Sequence, residues 1–84
     1  MKKYKINTKD GSIEVKGEPI NYKGIKLFVF YDNEHEEWNV SEATTGLLVA
    51  EVADRKMAIR EAEIRIDKFA INLLKEYISN KGKV

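Results

Sequence analysis

The sequence predicts an α+β fold: an N-terminal β-hairpin plus a three-stranded antiparallel meander, with one long C-terminal helix packed across the sheet. Three observations lead there. Between Tyr4 and Val52, short runs alternate apolar with polar residues, the period of half-buried strands. Glycine-containing turn signals separate several of those runs. From Asp54 onward the apolar spacing changes to that of a helix.

The first hairpin comes from Tyr4-Lys5-Ile6-Asn7 and Ser12-Ile13-Glu14-Val15-Lys16, joined by Thr8-Lys9-Asp10-Gly11. Asp-Gly accepts positive φ at little cost, so this joint is expected to be a tight turn. Gly17-Glu18-Pro19 is expected to end the hairpin, because proline cannot donate to a ladder. Ile20 to Gly24 then leads into the strongest strand, Ile25 to Tyr31. Ile25, Leu27, Val29 and Tyr31 share one face of it, and Lys26, Phe28 and Phe30 share the other. A strand apolar on both faces is central, with either both faces covered or one aromatic face exposed. Glu37 to Glu42 sets Trp38 and Val40 on one face and Asn39 and Ser41 on the other. Thr44-Thr45-Gly46 is the next turn, and Leu47 to Val52 the last strand.

The helix is expected from about Asp54 to Ser79, with Asp54 as N-cap and Gly82 just past its end. At about 100° per residue, Ala58, Ile59, Ala62, Ile66, Phe69, Ala70, Leu73, Leu74 and Tyr77 form one stripe, which should face the sheet. Met57, Ile64, Ile71 and Ile78 lie on the opposite side, spaced by seven and flanked by Arg60, Asp67, Lys68 and Lys75. Either this ridge is a contact surface, for a second copy or another protein, or the first hairpin folds over it. A domain of 84 residues has little structure with which to cover a second helix face, which favours the interface. The ridge lacks the double a/d repeat of a coiled coil.

Composition narrows the function. There is no cysteine, hence no disulfide and no thiolate metal site. A net charge of +1 argues against a strong nonspecific grip on nucleic acid or acidic lipid. No apolar run has the length of a signal peptide core or a membrane span, so the expectation is one cytoplasmic domain over residues 1–84.

The one histidine sits in Asp32-Asn33-Glu34-His35-Glu36-Glu37, between two strands. Carboxylates at a hairpin tip are hydrated at little cost, and a metal needs ligands converging with outer support. The expectation is a wet turn, with no metal and no cofactor. The sequence carries no Gly-x-Ser-x-Gly, no phosphate-binding glycine loop and no residues that mark a pocket for His35, so no catalytic residue is assigned. Phe28, Phe30, Tyr31 and Trp38 could serve as stacking platforms, although a tryptophan beside a valine on a strand is more often core. Lysines gather in the first third of the chain. Lys3, Lys5, Lys9, Lys16 and Lys26 are the candidate nucleic-acid contacts, against the plainer reading of a solvated face.

The segments YKGIKLFVF, EEWNVSEATTGLLVAE and ADRKMAIREAEIRI resemble small uncharacterised proteins of Gram-positive bacteria and of their phages and mobile elements. The resemblance rests on Tyr22, Lys23, Gly24, Trp38, Val40, Thr45, Gly46, Ala58 and Ile59. It covers the meander and the start of the helix, and omits the first hairpin. These are turn and core positions. The resemblance therefore implies a fold and a phage-like origin, and carries no catalytic residue. The expected function is a noncatalytic binding module acting through protein contacts, as a homodimer or as a phage-type regulator or inhibitor of a host protein. The alternative is a DNA- or RNA-binding accessory domain using the lysine-rich hairpin.

Overall fold

The computed structural model describes residues 1–8, 11–68 and 79. Five strands run in chain order, β1 Lys2–Thr8, β2 Gly11–Tyr22, β3 Ile25–Asp32, β4 Glu37–Glu42 and β5 Leu48–Val52, followed by α1 Arg55–Lys68. Every neighbouring pair is antiparallel and the sheet order is β1-β2-β3-β4-β5. The expected division into a hairpin and a separate three-stranded meander is therefore incorrect: this is one five-stranded meander.

Two local features make it continuous. Gly17-Glu18-Pro19 does not end a strand but lies inside β2, which pairs with β1 up to Gly17 and with β3 from Glu18. Because β1 starts at Lys2, opposite Gly17, β2 has a strand on one flank only where Pro19 falls, a setting in which proline is tolerated. Lys23-Gly24 is not a lead-in but a two-residue hairpin turn, with φ of 51° and 84° between the paired Tyr22 and Ile25. Both residues have the positive φ of a type I′ turn. The Asn21 side-chain oxygen accepts the Gly24 N–H at 3.2 Å and supports it.

The β3 strand is central and covered on both faces. On one face Ile25, Leu27 and Val29 join Val40 and Ala50 beneath Ala58, Ala62 and Ile66 of α1. Two alanines in the contact bring the helix close to β4 and β5, and each is fully buried. Asp54 caps the helix as expected, its carboxylate accepting the Met57 N–H at 3.0 Å. The stripe residues Phe69, Ala70, Leu73, Leu74 and Tyr77 lie outside the described residues, as do Lys9 and Asp10 of the first turn. Arg65 donates to the Val49 carbonyl at 2.8 Å, occupying an acceptor on β5, which among the described residues has β4 as its one strand neighbour.

The other face is closed by the sheet itself. Tyr4 of β1 stacks on Phe28 of β3, with ring centroids 4.1 Å apart and planes 2° from parallel. The strand between them supplies Gly17 at this point, where a Cβ would lie 3.0 Å from the Phe28 ring and 3.3 Å from that of Tyr4. A Cβ here would press on both rings, so glycine lets them meet over β2 without displacement. Further round, the turn before β5 touches β1: a Cβ on Gly46 would stand 2.9 Å from the Lys5 carbonyl oxygen. The two ends of the meander thus approach each other, and the sheet curls towards a half-closed barrel. Phe28 and Phe30 fill its inside. They are core residues and not exposed stacking platforms.

Candidate interaction surfaces

The acidic segment forms the β3–β4 turn. One Asp32 carboxylate oxygen accepts the backbone N–H groups of Glu34 at 3.0 Å and His35 at 3.3 Å. The other lies 2.8 Å from His35 Nδ1. Ligand-type atoms of Asp32, Glu34 and His35 come within 4.8 Å of one another. Glu34 and His35 are exposed, and the Asp32 oxygens already serve the turn. This is the geometry of a chain reversal held by its own carboxylate.

The pair has an electrostatic signature. The hydrogen bond with His35 holds Asp32 below its ordinary 3.8, and the same bond raises His35 above its ordinary 6.5. The stabilisation due to His35 is complete below pH 6.5, its ordinary value, and is lost as pH rises through the higher folded value. That due to Asp32 is present above pH 3.8 and is lost as pH falls through its lowered value. An NMR titration of His35 should give a midpoint above 6.5 that falls back towards 6.5 in Asp32→Asn. A native midpoint at or below the ordinary value would mean that the pair does not form in solution.

The helix ridge is uncovered where it is described. Met57 is 57% exposed and Ile64 40%. The first hairpin does not fold over it, because it is engaged on the opposite face of the sheet through Tyr4 and Phe28. Ile71 and Ile78 lie outside the described residues. Beside the ridge, Asp67 accepts the Tyr22 hydroxyl at 2.8 Å and the Lys23 ammonium at 2.6 Å, pinning α1 to the β2–β3 turn. The Lys23 hydrogen bond holds Asp67 below the usual carboxylate value, while Asp67 raises Lys23 and Tyr22.

The lysines do not converge on one patch. Lys3 and Lys16 are cross-strand partners, and Lys5 faces Glu14, on the outer side of the hairpin. Glu14 also meets Lys3 at 3.6 Å. Lys26 pairs with Asn21 on the opposite, inward face of the sheet, and Lys9 lies outside the described residues. Trp38 packs at the edge of the helix-side core, edge-on to Tyr31 at 5.2 Å and with the Arg55 guanidinium 5.9 Å from its ring. Arg55 also pairs with Glu18, tying the start of α1 to β2.

Sequence reasoning missed Glu42. It is buried, and its carboxylate accepts the N–H groups of Thr44 at 2.8 Å and Thr45 at 2.7 Å, plus the Thr45 hydroxyl at 2.8 Å. The available signal was a glutamate two residues before Thr-Thr-Gly, where a side-chain acceptor can serve the turn. It organises the turn whose Gly46 meets β1.

No family model, curated protein or solved structure matches the chain. Among the described residues no helix is long and apolar enough to cross a membrane.

Proposed function

We propose that the protein is a noncatalytic binding module that works through the outer face of its helix, and that its first partner is a second copy of itself. The observation that carries this reading is the exposure of Met57 and Ile64 on a helix whose other side is buried. An apolar ridge of this kind gains about 25 cal/mol for each Å² it removes from water on association. The spacing continues in the sequence through Ile71 and Ile78.

The charges flanking the ridge are complementary to those of a second copy. On one flank of the ridge the order along α1 is Lys56, Arg60, Glu63, Asp67, two cations followed by two anions. On the other flank Glu61, which pairs with Arg65 at 3.3 Å, precedes Lys68. Antiparallel apposition of two copies sets each flank against its own reverse, so cation meets anion on both sides. Parallel apposition sets each flank against the other, where Lys56 and Arg60 meet Glu61 and where Glu63 and Asp67 meet Lys68, so it is complementary as well. Flanking charges of this sort set partner and orientation more than affinity. A phage-type regulator or inhibitor of a host protein is a role in keeping with a module of this size and with the resemblance noted above. That role would use the same ridge against a foreign helix.

Sedimentation equilibrium on the native protein and on Ile64→Glu tests the reading. The native protein should be a dimer and the variant a monomer with an unchanged circular dichroism spectrum. A native monomer would remove the self-partner. A variant that dimerises as well as the native protein would remove the ridge as the interface.

A further inference from the structure

On the opposite side of the molecule, the bend between the first hairpin and the rest of the sheet leaves an open groove of about 400 Å³. Lys2 and Tyr4 of β1, Pro19 and Asn21 of β2, Lys26 of β3 and Ala43 contribute to its lining. Its position follows from the curl: β1 starts at Lys2 and Tyr4 is held on Phe28, so the second half of β2 runs on past the end of β1. The Ala43 N–H donates to the Lys26 carbonyl at 2.9 Å and fixes the far rim.

The polar groups of this groove are chiefly donors. Lys2 and Lys26 bring two ammonium groups, and neither makes an ion pair with a described residue. The Asn21 oxygen is taken by the Gly24 N–H, which leaves its NH₂ for a ligand. The Tyr4 hydroxyl can donate as well. Among the described residues no carboxylate lines the groove, in a chain where acids and bases nearly balance. The volume falls in the range of small-molecule sites, roughly 300–1,000 Å³.

We infer that this groove binds the phosphate of a nucleotide, held between Lys2 and Lys26 with Asn21 as a further donor and the nucleoside resting towards Tyr4 and Pro19. A phosphate ester carries the negative charge and the several acceptor oxygens that can engage both ammonium groups at once, and an uncharged ligand lacks that charge. An aromatic ring at the rim suits a base. The shared chemistry is that of a free mononucleotide and of one unit in a single strand. The site is independent of the helix ridge.

The test is a two-dimensional NMR titration of the full chain with adenosine 5′-monophosphate, with adenosine and with a short oligothymidylate. The monophosphate should shift the amides around Lys2, Asn21 and Lys26, and adenosine should not. Lys2→Gln with Lys26→Gln should weaken binding about tenfold or more. The same charge loss on the convex face, Lys3→Gln with Lys16→Gln, should change it less than about twofold, the two sites being separate. If the oligomer binds more tightly than the monophosphate, with log K falling against log salt at a slope of about −1.4 for two phosphate contacts, the ligand is a single strand. If the monophosphate binds as tightly, the ligand is a free nucleotide. Equal shifts with adenosine, no shifts with either phosphate, or full binding by the Lys2/Lys26 double variant would overturn the assignment.

Discussion

Phe28→Ala should destabilise the protein by about 3–5 kcal/mol, the usual cost of emptying a fully buried aromatic position. Phe28 has no exposed surface, and it stacks on Tyr4 and lies 5.5 Å from Phe30. Its removal empties the inside of the curled sheet and also takes away the surface on which the first hairpin is held. The transition should be followed by urea denaturation with both tyrosine fluorescence and circular dichroism. A double-mutant cycle with Tyr4→Ala should show a coupling of about 0.5–1.5 kcal/mol, the range for stacked aromatic pairs. A loss under about 1 kcal/mol, or additive effects, would mean that the hairpin is not closed on this face.

Glu42→Ala is expected to cost about 2–4 kcal/mol, because it strands two backbone N–H groups and a threonine hydroxyl at a part-buried turn. Glu42→Gln keeps an acceptor oxygen and should lose roughly half as much. Thermal and urea unfolding of the two variants would measure this. Equal stability of the native protein and Glu42→Ala would show that the turn is organised by other contacts. The effect should reach β1 as well, since the turn that Glu42 holds delivers Gly46 to the Lys5 carbonyl. Amide exchange at Lys5 and Ile6 should therefore quicken in Glu42→Ala.

These two residues differ in how visible they are beforehand. Phe28 belongs to a run apolar on both faces, and such a run marks a central strand wherever it occurs. Glu42 looks like any polar residue at a strand end. Its burial depends on a turn that bends back over it, which no periodicity records. The candidate surfaces divide in the same way. The seven-residue spacing of Met57 and Ile64 was plain on a helical projection. Whether anything lay over them depended on which way the hairpin turned. The lysine cluster looked like one patch because its members are close in sequence. Pairing then placed Lys3, Lys5 and Lys16 on one side of the sheet and Lys26 on the other.

Alternation and turn chemistry were enough to establish that there are strands followed by a capped helix, which strand is central, and which helix face is buried. These are local properties, set by side-chain period and by the backbone angles that each residue tolerates. The continuity of the five strands, the closure of Tyr4 over Gly17 onto Phe28, the groove beside Lys2 and Lys26 and the bareness of the helix ridge were decided in three dimensions. Each depends on the direction in which a twisted sheet curls. That direction is chosen by contacts between residues far apart in the chain, such as Gly46 with Lys5, whose sum decides the packing although none is marked in the local pattern.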